Sequence, residues 1–294
     1  MTPRVCNFFL TLECNDLCEF SQLWLRTDDQ EIRVSGDQGK VLLKELKIKG
    51  ISQLNLLGGE PLLADNLADI LRAAKFYKLE TCLTTNGILY GEKARLLGGL
   101  VDRLYFSLDY PIASEHDRSR GVECFNQVIE GIKLAHGLGE KPLINFTLTR
   151  DSVRFLPEMA DLAEKLRTPV YLNPVEEFYG TQGFEPATLD HIKYYGRRQN
   201  IQVNLAALEF IRAGGNKVIF PRCRADSATI TILPDGTRVA PCFYNQGGKM
   251  GGEAVCSGCM RWPYMLPSFT KGIDKYFWLN LYSEWINSKR RPPR

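Results

Sequence analysis

No stretch of this 294-residue chain approaches the ~20 consecutive apolar residues that a membrane-spanning helix requires. The opening MTPRVCNFFLTLEC has neither a long apolar core nor a small-residue cleavage site, so it does not read as a secretory leader. Net charge is only +3, too little to draw the chain to nucleic acid or to a membrane surface. The basic KRRPPR at 289–294 reads as a short solvated tail. Internal repeats and low-complexity segments are also missing. Together these absences predict a cytoplasmic protein with no membrane and no nucleic-acid partner.

What is present is an ordinary globular composition, 44% hydrophobic and 24% charged, in a length that supports one large domain or two. The nine cysteines stand out. In a reducing compartment they do not make a disulfide framework, and clustered thiols there bind metal or do redox chemistry more often.

Up to about residue 175 the chain alternates β-rich runs with helical patterns. VCNFFLTL (5–12), QLNLLGG (53–59), ETCLTT (80–85), RLYFSLD (103–109), LINFTLT (143–149) and PVYLNP (169–174) read as strands. Their near-continuous apolar character fits parallel strands covered on both faces. Between them, Leu67, Ile70, Leu71 and Ala74 share one helical face, as do Val122, Phe125, Ile129 and Ile132, and Met159, Leu162, Ala163 and Leu166. Six strands each followed by a helix predict an α/β fold, a parallel sheet or barrel with its chemistry at the C-terminal ends of the strands.

The unusual loop residues fall at those ends. Cys14 and Cys18 follow the first strand, GGEP (58–61) the second, TNG (85–87) the third, and SLDY (107–110) closes the fourth. Cys14 and Cys18, four apart with Ser21 three further on, have the spacing of most of a cluster loop. Glu60 can accept from an ammonium group, and glycines let backbone approach a ligand closely, although GGEP alone is also a plain strand-to-helix turn. Ser107 and Asp109 can hydrogen-bond a ribose or simply cap the next segment. Arg120, in HDRSRG (116–121), can clamp a carboxylate or start a helix at the surface. His116 is a loop histidine, read as solvated rather than as an acid–base group. His136 and His191 have no visible partners. Cys6, Cys82 and Cys124 sit in apolar runs and read as core.

After residue 200 a helical stretch (205–213) precedes ATITILPDGTRVAPC (228–242), two strands around a Pro-Asp-Gly turn. Cys223, Cys242, Cys256 and Cys259 lie within 37 residues, and the last two form a C-x-x-C pair. The hairpin brings the first two near each other, giving four soft ligands suited to zinc or to iron–sulfur. The aromatic stretch 264–286 reads as a closing helix, and NPVEEFYG (173–180) as part of a substrate cavity.

Taken in order, the cluster-loop cysteines, GGEP, TNG, SLDY and HDRSRG resemble the radical S-adenosylmethionine (radical SAM) enzymes, over residues 5–175. The family's loop is C-x3-C-x2-C after strand one, and Tyr110 stands where glycine is usual after SLD. The C-terminal cysteines resemble the family's SPASM or twitch extensions, which bind auxiliary [4Fe–4S] clusters. The resemblance implies a partial (β/α)6 TIM-like barrel (1–200) followed by a small cysteine-rich α+β domain (201–294). It implies that Cys14, Cys18 and the residue at position 21 ligate a SAM-binding [4Fe–4S] cluster. Gly58, Gly59 and Glu60 would hold the methionine ammonium, Ser107 and Asp109 would lie near the ribose, and Arg120 would reach the carboxylate. Phe20 would flank the adenine. Cys223, Cys242, Cys256 and Cys259 would hold one auxiliary cluster. The implied function is reductive cleavage of SAM to a 5′-deoxyadenosyl radical that abstracts hydrogen from a peptide or small molecule, with an electron donor such as flavodoxin or ferredoxin.

The departure is Ser21, where the third cysteine falls. A serine hydroxyl deprotonates far less readily than a thiol and is a harder ligand than cluster iron prefers. Three readings follow: an introduced substitution, the loss of one cysteine before the serine, or a natural paralogue that no longer cleaves SAM and acts as a non-catalytic iron–sulfur or zinc protein. In each the fold and the C-terminal cluster survive.

Overall fold

The computed structural model describes residues 4–19, 33–174, 184–215, 223–243, 245–246, 259 and 261–290. Phe20, Ser21, Cys256 and most of NPVEEFYG lie outside them. The core is an α/β array: β1 (Val5–Phe9), α1 (Gly36–Ile48), β2 (Gln53–Leu57), α2 (Leu67–Phe76), β3 (Glu80–Thr85), α3 (Tyr90–Leu97), β4 (Arg103–Ser107), α4 (Ala113–Arg120), α5 (Phe125–Gly137), β5 (Leu143–Leu148), α6 (Leu156–Lys165) and β6 (Val170–Pro174). Then come α7 (Pro186–Tyr195), β7 (Ile201–Gln202), α8 (Leu205–Arg212), the single turn α9 (Ala225–Ala228), and β8 (Thr229–Ile232) with β9 (Arg238–Val239). The two-residue strands β10 (Pro241–Cys242) and β11 (Asn245–Gln246) make a small second sheet, and α10 (Trp262–Phe269) and α11 (Lys275–Lys289) close the chain.

The main sheet runs β7-β6-β5-β4-β3-β2-β1-β8-β9, parallel throughout except for the β8–β9 hairpin. It is the partial barrel the sequence implied. The hairpin forms around the Pro-Asp-Gly turn, with Gly236 at φ +86° as that turn requires. Its first strand does more than pair with the second: β8 lies parallel beside β1, with Cys6 opposite Ile230 and Phe8 opposite Ile232. A segment after residue 200 therefore completes the core sheet.

The strands differ from the expectation in one respect. β2, β3, β4 and β6 alternate rather than bury both faces, while β1 and β5 are buried almost throughout. Leu54, Leu56, Leu83, Leu104, Phe106, Ile144, Phe146, Val170 and Leu172 are buried in one apolar cluster with the helices. The residues between them, Gln53, Asn55, Cys82, Thr84, Arg103, Tyr105, Asn145, Tyr171 and Asn173, are only half-buried. The inner face of a partial barrel does not pack on a second helical layer, so polar side chains are tolerated there. Cys82 belongs to this lining and not to the core. Gln53 donates to Asn55 (2.7 Å), Asn55 to Asn7 (2.9 Å), and Asn7 to the Pro263 carbonyl (3.1 Å), a directed chain that ties the lining to α10.

The aromatic C-terminal stretch is two helices, not one. Asp274 caps α11 by accepting from the Tyr276 and Phe277 amides, after a turn with Gly272 at φ +102°. Among the described residues no helix is long and apolar enough to cross a membrane.

Candidate functional site

The loop after β1 is docked by the loop after β2. The Gly59 amide donates to the Thr11 carbonyl (3.0 Å) and the Glu60 amide to the Glu13 carbonyl (2.8 Å). A Cβ on Gly59 would sit 1.9 Å from the Glu13 oxygen, and one on Gly58 2.4 Å from that of Thr11. These glycines are required by the approach of the cysteine loop itself, which the sequence reading assigned to a ligand.

Glu60 is buried and accepts from three donors: the Leu62 amide (2.9 Å), the Thr85 hydroxyl (2.8 Å) and the Asn86 amide (2.7 Å). Burial lifts its pKa to about 7 against the pull of those donors. A carboxylate offers roughly four acceptor directions, so one remains for a further donor. Asn86, from TNG, also donates to Asn15 (2.7 Å), which ties a third loop to the cysteine loop.

The fourth contribution comes from the end of α4. The Leu17 amide donates to the Arg120 carbonyl (2.8 Å) and the Glu19 amide to that of Ser119 (3.0 Å). Gly121, at φ +68°, lies against Leu17. The Arg120 guanidinium is buried. Its Nη1 donates to Asp16 (3.2 Å) and to the Cys18 sulfur (3.5 Å), and its Nη2 lies 2.5 Å from Asp109. Burial opposes its charge, but Asp109, Cys18 and Asp16 hold its pKa well above the ordinary value. The sequence reading placed Arg120 on a ligand carboxylate; here it is engaged by two protein carboxylates.

Cys14 donates to Asp16 Oδ1 (2.7 Å), and burial followed by Asp16 pushes its pKa up. Burial lifts Cys18 to about 12, with Arg120 pulling the other way. Ser107 and Asp109 are buried at the end of β4, and Asp109 accepts from the Thr147 amide (3.2 Å). Asp16, Asn15 and Asn86, which bind these loops together, carry no sequence signature beyond lying inside the motifs.

His116 is not solvated. It is fully buried, its Nδ1 accepts from the Asp109 amide (3.2 Å), and burial lowers its pKa to about 4, so it is neutral. His136 does have a partner, the Thr168 hydroxyl at 2.8 Å. Cys6 and Cys124 are buried, as expected of core thiols.

Cys223 and Cys242 both border a small apolar cluster of Phe9, Ala225, Phe243 and Tyr264. Phe9 stacks on Phe243 at 4.3 Å, and the Tyr264 hydroxyl accepts from the Phe243 amide (3.1 Å). Phe9 ends β1, so the second thiol group sits beside the start of the first cysteine loop. Cys259 accepts from Arg261 at 3.6 Å. Among the described residues no three His, Cys, Asp or Glu side chains form a complete metal site; position 21 and Cys256 are not among them. The donor chemistry nonetheless fits iron: soft thiols, two on a loop held by GGE, TNG and the end of α4 beside a buried cation, and two more, Cys223 and Cys242, on one apolar cluster.

The radical SAM superfamily profile matches residues 9–151. A probable GTP 3′,8-cyclase of Sulfurisphaera tokodaii is 32% identical over 256 residues, 81% of this chain and 80% of that protein. The AdoMet-dependent heme synthase of Oleidesulfovibrio alaskensis is 29% identical over 166 residues, 55% of this chain and 43% of that protein, so the chain spans less than half of that relative. Streptococcus suis SuiB, solved also with its precursor peptide SuiA, superposes with TM-score 0.69 at 18% identity over 90% of this chain and 65% of its own. The anSMEcpe structure with bound AdoMet gives 0.63 at 16% identity over 82% and 71%.

Proposed function

The chain belongs to the radical SAM superfamily, and from that premise we propose an enzyme that uses a [4Fe–4S] cluster and SAM to abstract hydrogen from a peptide or small molecule, held back in this sequence by Ser21. Bound cluster and SAM would supply a 5′-deoxyadenosyl radical by one-electron cleavage of the sulfonium. Cys14 and Cys18 would hold the iron, with position 21 the weak third ligand. Gly58, Gly59 and Glu60 would meet the ammonium, using the one acceptor direction Glu60 retains. Ser107 and Asp109 would face the ribose, and Phe20 the adenine. Arg120 is assigned a positioning role on the cysteine loop. Cys223, Cys242, Cys256 and Cys259 would hold an auxiliary cluster that passes electrons from a flavodoxin or ferredoxin to the first site; the division into a core (1–200) and an extension (201–294) is one of sequence, since β7, β8 and β9 join the main sheet.

The observation that carries this reading is the convergence of GGE, TNG and the end of α4 on the Cys14–Cys18 loop. The polar inner face of the strands, with Asn55, Tyr105 and Tyr171 half-buried on it and the two tyrosine rings edge-on at 6.1 Å, would be the side on which a substrate lies. A peptide is one candidate because the SuiB fold accommodates one; a nucleotide is another, because of the cyclase relative.

The test is anaerobic reduction of a Ser21→Cys variant with SAM. Formation of 5′-deoxyadenosine, absent or much slower with Ser21, supports the reading. Ser21 itself favours a second reading, a non-catalytic iron–sulfur or zinc protein. No 5′-deoxyadenosine from the cysteine variant would support that one.

A further inference from the structure

Arg120 is placed more deeply than a loop clamp requires. Its backbone already fixes the cysteine loop: its carbonyl accepts from the Leu17 amide (2.8 Å), and Gly121 beside it lies against Leu17. Its side chain is only 5% exposed, and among the described residues no other Arg or Lys is buried. A guanidinium buried between two carboxylates is a poor source of stability, since apolar side chains of the same volume do as well or better. Stability therefore does not account for a cation at this position.

Its contacts point to the thiols. Nη1 divides between Asp16 Oδ2 (3.2 Å) and the Cys18 sulfur (3.5 Å), while Nη2 pairs with Asp109 (2.5 Å). On its other side Asp16 Oδ1 accepts from the Cys14 sulfur at 2.7 Å. The two sulfurs thus lie in unlike fields, Cys18 beside a buried cation and Cys14 beside a buried carboxylate. Asp16 and Asp109 are both buried, so water and salt screen these charges far less than they would at the surface. The potential of an iron–sulfur group is set by nearby charge and by hydrogen bonds to its sulfurs. Reduction adds one negative charge; Asp16 and Asp109 oppose it, and Arg120 offsets them with its own charge and with an N–H on sulfur.

We propose that Arg120 sets the reduction potential of the iron group held by Cys14 and Cys18, raising it through the N–H···S contact with Cys18, and that Asp16 acts in the opposite sense beside Cys14. This rests on the reading that those two cysteines hold iron. The step is one electron gained at the cluster and one lost by the flavodoxin- or ferredoxin-class donor, with no proton transferred. Both side chains act through the cysteine sulfurs, as positioning residues.

The test is a potentiometric titration, followed by electron paramagnetic resonance, of a Ser21→Cys/Cys242→Ala/Cys259→Ala parent, in which the second site has too few ligands to load. Adding Arg120→Gln should lower the midpoint potential by about 59 mV, a tenfold shift in the one-electron equilibrium. Adding Asp16→Asn, which leaves Arg120 paired with Asp109, should raise it by a similar amount. Arg120→Lys, which keeps the charge, should keep most of the parent potential. Damage to the loop alone would not move Arg120→Gln and Asp16→Asn in opposite directions. If Arg120→Gln does not load iron, Asp16→Asn decides alone. A parent cluster whose equilibrium changes less than about twofold in Asp16→Asn, or shifts the same way in both variants, would overturn the proposal and leave the iron assignment standing. No cluster in the folded parent would overturn both.

Discussion

The Arg120 guanidinium lies 3.5 Å from the Cys18 sulfur, wedged between Asp16 and Asp109. One buried cation thus joins the end of α4, the loop after β4 and the cysteine loop. A buried ion pair adds little net stability, but removing one partner leaves the others uncompensated. Arg120→Met strands two buried carboxylates and should lower unfolding free energy by about 3–5 kcal/mol. Urea denaturation of the iron-free protein measures it. Loss of less than about 1 kcal/mol would mean that the network is not formed.

Gly59→Ala tests the docking of the loop by GGE. The added methyl would sit 1.9 Å from a backbone oxygen of Glu13, which no side-chain rotation relieves. A cost of roughly 1–3 kcal/mol is expected from such overpacking. In a Ser21→Cys background it should also remove iron from the first site and leave the C-terminal site loaded. Iron and sulfide analysis reads both.

Most of this rim was legible in the sequence because each motif is local and the strand order puts the loops on one edge. The ion-pair geometry was not. Nothing in LECNDLCE says that Asp16 faces Arg120, 104 positions away, or that Asp109 completes the triad. The polar inner face was concealed for a different reason. In QLNLL and RLYFS the polar residues sit between leucines and aromatics, so the runs read as continuously apolar when the period of two was the signal. The place of β8 beside β1 is a long-range pairing that a hairpin signal does not contain.

His116 gives a pH signature. Its folded pKa of about 4 lies below the usual 6.5, so the unfolded chain binds the proton more readily. The neutral imidazole contributes nothing adverse above about pH 6.5, and stability is lost as pH falls toward 4, by up to about 3 kcal/mol. Glu60, raised to about 7, has the opposite slope between its ordinary 4.5 and 7 and masks this in the raw profile. The difference between the protein and His116→Gln isolates it: the stability of the unaltered protein relative to that variant should fall as pH drops from 6.5 to 4. A pH-independent difference would mean a solvated histidine.

Cys242→Ala/Cys259→Ala addresses the second thiol group. With two of its four thiolates gone the second [4Fe–4S] cluster has too few ligands, and the variant should lose about half of roughly eight iron per chain in a Ser21→Cys background. It should also lose stability around Phe9 and Phe243. Zinc bound at this site in the unaltered protein, with no iron lost on substitution, would assign a structural zinc instead.

The central claim is that the loop held by GGE, TNG and Arg120 presents cluster iron to SAM. The most direct measurement is the electron paramagnetic resonance spectrum of the reduced Ser21→Cys/Cys242→Ala/Cys259→Ala protein, with and without SAM. A [4Fe–4S] signal whose g values shift when SAM is added is the predicted result. A signal indifferent to SAM, or no cluster in a folded protein, would contradict it.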